Sequence, residues 1–274
     1  SWVVRVADEP DPAPSVSYDP PLDSILPVGE TTVTVTATDA SGNTAQSNYQ
    51  VSVQFAGIVS WGNDDDGQGA APLDLTNAVA IACGSAHTIA LRSTGQVVAW
   101  GDNTYGQCTL PLTAYSIVVA IAAGEHHNLL LRRWGEVYAW GDNTYGQCAV
   151  PSAATDIVAV AAGTVHSLAL RSDGTVVAWG LYNTVPTDLS GVVAIAAGDE
   201  CSLALKSDGS VVSWGNPART NLPAGLTNAV AISMTYRHGL ALLADGTVTA
   251  WGENSSGQCD VPIGLSNVVQ IAAG

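Results

Sequence analysis

Along most of the chain, short apolar runs of about six residues alternate with polar turns. The stretch Ile157–Gly180, IVAVAAGTVHSLALRSDGTVVAWG, shows the pattern in full. It holds three strand-like pieces: VAVAAG, small and apolar; HSLAL; and TVVAWG, which ends in Trp-Gly. Val, Thr and Trp favour extended backbone. Asp173-Gly174 joins the last two pieces, and Asp-Gly between apolar runs supplies the positive φ angles of a tight hairpin. The joint recurs at Asp208-Gly209 and Asp245-Gly246, with Thr94-Gly95 and Trp134-Gly135 as variants. No segment sustains the helical apolar period, so the pattern predicts an all-β chain.

The three pieces repeat. Apart from the hairpin pair Trp134-Gly135, Trp-Gly occurs at Trp61, Trp100, Trp140, Trp179, Trp214 and Trp251, at spacings of 39, 40, 39, 35 and 37 residues. The decapeptide AWGDNTYGQC occurs twice, at Ala99–Cys108 and Ala139–Cys148. A period of this length with three or four short strands fits a propeller blade. The AAG-type strand ends at Gly84, Gly124, Gly163, Gly198, Met234 and Gly274, whereas the HSLAL strand begins only near His87, His127, His166, Cys201 and His238. The expected fold is a β-propeller of about six to seven blades over residues 55–274, incomplete in this chain because it stops one strand into a new unit. Two forms are open: an arc, or a ring closed by strands near Ile58 and Val269. Ala and Gly of VAIAAG allow blades to converge on a central channel. The repeated Trp is expected to wedge between neighbouring blades.

Residues 1–54 lack the repeat. Val33, Val35 and Ala37 alternate with threonines, Asp39–Asn43 makes a turn, and Tyr49, Val51 and Val53 alternate in turn, which predicts two paired strands.

The repeat units, with GQCAVP and GQCTLP returns after Trp-Gly and VAVAAG followed by HSLAL, resemble the regulator-of-chromosome-condensation repeat family, a propeller usually of seven blades. They are also similar to the bacterial propellers that inhibit β-lactamases. The resemblance covers Phe55–Gly274 and implies a scaffold whose shared residues build blades. Pro27–Asn43 resembles the end of a hyalin repeat, an immunoglobulin-like extracellular module linked with adhesion. Only the second half of that module matches; its earlier strands are missing or reduced to Trp2–Val6.

Charge narrows the function. Eight basic and 24 acidic residues give a formal charge of −16. Such a chain repels phosphate backbones and anionic membrane surfaces, so the expectation is no nucleic acid and no direct membrane insertion. No apolar run approaches the ~18 residues of a membrane span. The sequence opens on SWVVRV with no signal peptide, as a fragment or processed form would; an extracellular or cell-surface bacterial protein is expected. The five cysteines include no CxxC pair and read as buried free thiols.

The histidines invite a zinc reading, but equivalent positions on separate blades lie too far apart for one ion. They are expected to hydrogen-bond backbone groups at strand starts. His126 falls outside their slot and reads as a loop residue. Asp64, Asp65 and Asp66 form a calcium candidate that matches no EF-hand; otherwise no metal or cofactor is expected. Asp64–Asp66, Glu125, Asp199 and Glu200 are the carboxylates open to acid–base work. The loops after Trp-Gly and after AAG vary while the strands agree, so binding is expected there. The candidate ligand-binding residues are Asp102, Tyr105, Asp142, Tyr145, Tyr182 and Tyr236, because tyrosine offers an apolar body with a polar tip. The leading reading is non-enzymatic extracellular recognition or adhesion, binding proteins or glycans. A secreted enzyme inhibitor and a polysaccharide-active enzyme stay open beside it.

Overall fold

The computed structural model describes residues 15–21, 29–53, 58, 60, 62–115, 117–216 and 221–274. It divides into two compact units, residues 1–57 and 58–274.

The first unit is a three-stranded antiparallel sheet of β1 (Ser15–Asp19), β2 (Gly29–Thr38) and β3 (Thr44–Val53), in that order. The two expected strands pair from Gly29 opposite Val53 to Thr38 opposite Thr44. Asp39 holds their turn: its carboxylate accepts from the backbone N–H groups of Ser41 at 2.9 Å and Asn43 at 2.8 Å. Val35 is buried, but Tyr49 is exposed, so only the first strand keeps its expected face. β1 was not legible; SVSYD is short and polar, and it pairs only through backbone register with Val35–Thr38 and Thr34. Trp2–Val6 lies outside the described residues.

Among the described residues the second unit holds five three-stranded antiparallel blades. Blade 1 is β4 (Ala78–Cys83), β5 (His87–Arg92) and β6 (Val97–Gly101). Blade 2 is β7 (Val118–Ala123), β8 (His127–Arg132) and β9 (Val137–Gly141). Blade 3 is β10 (Ile157–Ala162), β11 (His166–Arg171) and β12 (Val176–Gly180). Blade 4 is β13 (Val192–Ala197), β14 (Cys201–Lys206) and β15 (Val211–Gly215), and blade 5 is β16 (Ala229–Met234), β17 (His238–Leu243) and β18 (Val248–Gly252). The first and third strands of a blade run the same way. The AAG loops and the loops after Trp-Gly therefore share one end of the unit, the loop end. Direct bonds confirm this: Asp102 N–H donates to Ala86 O at 2.8 Å and Asp142 N–H to His126 O at 2.9 Å. The hairpins occupy the opposite end. Closure by strands near Ile58 and Val269 is not seen: residues 268–274 form no strand and Val269 is 93% exposed.

The hairpins are looser than a two-residue turn. Only the glycine has positive φ, 81° at Gly174, and Arg171 pairs with Thr175 across three loop residues. This is a turn closed by a left-handed glycine. Asp173 contributes through its side chain instead, accepting from the Thr175 N–H at 2.9 Å and hydroxyl at 2.6 Å. Those bonds hold its carboxyl below the usual range, and the equivalent Asp208 falls to about 2 through Ser210. A second correction concerns blade 5. Met234 pairs with Gly239 as Ala197 pairs with Ser202, so Thr235, not Met234, fills the AAG glycine slot.

Blades pack as the small residues and Trp predict. Trp140 of blade 2 joins one buried cluster with Ile89, Leu91 and Val97 of blade 1. Trp179 packs likewise on Leu129 and Leu131, and Trp251 on Leu203 and Leu205. Near the channel there is no room for a side chain. A Cβ on Gly124 would stand 2.3 Å from Gly163 O, and one on Gly163 would stand 2.4 Å from Gly198 O.

Candidate recognition face at the loop end

A buried relay holds the seams between blades 1 and 2 and between blades 2 and 3 and positions the loops above them. Trp140 Nε1 and Asn128 Nδ2 of blade 2 both donate to Gln107 O of the blade 1 loop, each at 2.9 Å. Trp179 Nε1 and Ser167 Oγ of blade 3 both donate to Gln147 O, at 2.8 Å. The histidines join this relay through side chains, not through backbone groups as expected. His87 Nε2 meets Asn128 Oδ1 at 2.8 Å, His127 Nε2 meets Ser167 Oγ at 2.9 Å, and His166 Nε2 meets Ser202 Oγ at 3.0 Å. Asn128 and Ser167 spend their protons on the Gln carbonyls, so Nε2 of His87 and His127 carries the hydrogen. Nδ1 of all three rings is buried without a partner, pressed toward the AAG glycine of its own blade.

Burial pulls His127 down to about 3 and His166 to about 4. The unfolded histidine titrates near 6.5. The neutral folded ring therefore contributes its full stability above about pH 6.5 and loses it as pH falls toward 4. The melting temperature should fall steadily across that window, and His127→Gln should flatten the slope. An unchanged slope in that variant would assign the loss to other groups.

The relay changes at blades 4 and 5. Cys201 stands in the histidine slot, with its Sγ 3.6 Å from Met234 Sδ. The loop after Trp179 has no Gly-Gln, and Trp214 Nε1 has no acceptor.

The DNTY loops build themselves. Asp102 Oδ1 accepts from the Thr104 N–H at 2.9 Å and hydroxyl at 2.6 Å, and its Oδ2 accepts from Gln107 Nε2 at 2.6 Å. The Thr104 bonds hold the Asp102 carboxyl below its ordinary range. Burial works to raise Asp142, yet bonds from Thr144 and Gln147 leave it lowered as well. Both carboxylates thus fold the loop. Asn103 Oδ1 accepts the Cys108 N–H at 2.8 Å, and Asp64 Oδ1 plays the same part for the Gly69 N–H at 2.7 Å. Asp64–Asp66 is the same loop in another sequence, and no metal-holding group of three His, Cys, Asp or Glu residues occurs among the described residues. The GQC thiols belong here too. Cys108 and Cys148 Sγ each lie 3.1 Å from the carbonyl of their loop's aspartate, and burial pushes the Cys148 thiol up to about 12. They are half-buried rather than buried; Cys201 is buried and Cys83 is exposed.

The loops leave aromatic rings outward. Tyr105, Tyr145 and Tyr236 are 50%, 52% and 51% exposed. Tyr182 is half-buried at a φ of 55°, apart from that set. The Tyr105 ring crosses the seam to His126, with centroids 4.9 Å apart, and His126 Nε2 lies 3.7 Å from Glu125 Oε1. Glu125 and Tyr236 border a central concavity of about 360 Å³, whose floor includes Gly84, Gly124, Gly163 and Gly198. Arg237 stacks over Tyr236 at 4.8 Å and reaches Glu253 at 3.3 Å and Asp199 at 3.7 Å.

The model of the Regulator of chromosome condensation (RCC1) repeat matches residues 78–107, 118–147, 157–185, 192–219 and 229–258, one match to each blade. The chain belongs to the RCC1 repeat family. A HYR domain model matches residues 3–53 ahead of the RCC1 repeats. Comparison with curated proteins gives no match. Among solved structures, human WBSCR16 superposes on the RCC1 propeller with a TM-score of 0.61 at 20% identity, covering 87% of this chain and 79% of that one. The ectodomain of the Physcomitrella patens receptor kinase CR4 gives 0.59 at 20% identity, covering 80% of this chain and 59% of its own. Prp20p from Saccharomyces cerevisiae, described with its binding properties to Gsp1p and histones, gives 0.56 at 24% identity over 70% of this chain. The chain spans 61% of the Prp20p structure. These likenesses establish the fold, and an RCC1-type propeller is consistent with a protein-binding module.

Proposed function

We propose that the loop end of the RCC1 propeller is a non-catalytic recognition surface for a protein partner. The setting is extracellular or at the cell surface, where the HYR-matching sheet and the propeller serve adhesion. The observation that carries this reading is the placement of Tyr105, Tyr145 and Tyr236. All three stand half exposed on one end of the unit, and in the loops of Tyr105 and Tyr145 the Asp and Gln side chains are already bonded to each other. Rigid loops that present tyrosines lose little conformational freedom on binding. The carboxylates in the same loops as two of those tyrosines, Asp102 and Asp142, are tied into their loops, which favours contact over acid–base chemistry.

The test compares the wild-type chain, a Tyr105→Ala/Tyr145→Ala/Tyr236→Ala variant and a hairpin-end variant, Trp134→Ala, in affinity capture from the source cells and medium. Captured proteins are identified, purified and titrated by calorimetry. The tyrosine variant should weaken the purified complex by at least about tenfold, as loss of aromatic anchors does. Trp134→Ala should leave it unchanged. The reverse order would place recognition at the hairpin end.

A further inference from the structure

The two ends of the propeller unit differ in charge. The second strands of blades 1 to 4 finish in Arg92, Arg132, Arg171 and Lys206, so these cations stand at the hairpin end. There they meet acids of the same end, as in Arg92–Asp74 at 2.7 Å and Arg132–Glu136 at 3.0 Å. The loop end carries Asp64–Asp66, Glu125, Asp199, Glu200 and Glu253. Its cation among the described residues is Arg237, already engaged by Glu253 and Asp199. Within the propeller unit, the loop end therefore carries more net negative charge than the hairpin end. The same end has the exposed tyrosines, one of which already faces a guanidinium, and the concavity bordered by Glu125 and Tyr236. At about 360 Å³ that concavity lies at the small end of ligand pockets, a size for one long side chain. A concavity lined by both a carboxylate and a tyrosine suits a cation.

We infer that the partner segment docking on the loop end is basic, and that the central concavity takes one of its arginine or lysine side chains. This deepens the recognition reading above and rests on it. Complementary charge would steer the encounter and make it sensitive to salt, because charges acting across solvent are screened within about 8 Å at physiological ionic strength.

The test uses fluorescein-labelled octa-arginine as probe, with octa-glutamate as control, and reads anisotropy against the whole chain at low and high salt. Octa-arginine should bind and octa-glutamate should not. Raising salt from about 50 to about 300 mM should weaken binding by about tenfold or more. Glu125→Gln/Glu200→Gln at the loop end should weaken it by about fivefold or more, whereas Asp173→Asn/Asp245→Asn at the hairpin end should change it less than about twofold. Thr164→Arg sets a cation on the concavity lining and should abolish binding while the melting temperature holds. No binding of octa-arginine, or equal loss in the two double variants, would overturn the basic partner. Wild-type binding by Thr164→Arg would overturn the role of the concavity. The recognition reading fails separately: it falls if the tyrosine variant keeps its captured partner, and it stands if that partner is lost while octa-arginine does not bind.

Discussion

Trp140→Ala is expected to destabilise the propeller by about 3–5 kcal/mol, a fall in melting temperature on the order of 10 °C. The indole is buried in a cluster drawn from two blades, against Ile89, Leu91 and Val97 on one side and Leu130 on the other. Its removal leaves a cavity at a seam that cannot collapse without moving a whole blade. It also removes one of the two donors to Gln107 O. Asn128 Nδ2 still serves that carbonyl, so Trp140→Phe should cost clearly less than Trp140→Ala. Thr144→Ala gives the comparison. Its hydroxyl donates to Asp142 at 2.6 Å in an exposed loop, and its loss should cost about 1 kcal/mol. Thermal melts of the three variants check the ranking. Equal melting temperatures for Trp140→Ala and Thr144→Ala would refute the wedge.

Gly124→Ala should be nearly as damaging although it adds one methyl group. The added carbon would stand 2.3 Å from Gly163 O and 2.4 Å from His127 Cε1. Neither atom is the free end of a flexible chain. One is backbone of the next blade, and the other belongs to a buried ring fixed by Ser167. Overpacking of this kind costs about 1–3 kcal/mol and more where the backbone must shift. Gly106→Ala is the control. Nothing lies within 4 Å of its Cβ position, so only its φ of +78° opposes the change, at about 1–2 kcal/mol. A Gly124→Ala protein that melts with or above Gly106→Ala would mean that the blades part freely near the channel.

The strands, the hairpin positions and the Trp wedge were legible because each rests on neighbours within one period. Alternation, Asp-Gly and Trp-Gly are local signals, and they recur often enough to check one another. The seam partners were not legible. His127 and Ser167 lie 40 residues apart, and nothing at either position marks the other. The recurring Gln of Gly-Gln-Cys was the available signal, since a polar residue repeated at fixed phase beside a buried Trp invites a buried bond. What matters there is its carbonyl, which every residue type carries. The candidate site was legible in part. Tyr105 and Tyr145 stand outward as proposed contacts must, whereas Asp102 and Asp142 in the same decapeptide face inward to Thr and Gln. Sequence places all four in one loop and cannot say which way each side chain turns. Thr235 shows the opposite error: the eye ends the motif at Met234, aligning ISM with AAG, and the pairing register moves the glycine slot by one residue.

The seam between blades 1 and 2 and the seam between blades 2 and 3 use the same parts in the same order. Blades 1 and 2 each carry a socket on one flank and the matching plug on the other. A duplication of one period, wherever its ends fall, delivers both halves at once and lengthens the propeller without inventing a new fit. Two identical copies of AWGDNTYGQC are what such growth leaves behind. At the later blades Cys201, Thr235 and Gly239 have diverged from that common fit. A copy of blade 5 inserted between blades 1 and 2 would bring Gly239 to the place where Asn128 meets His87, and that ring would lose its partner.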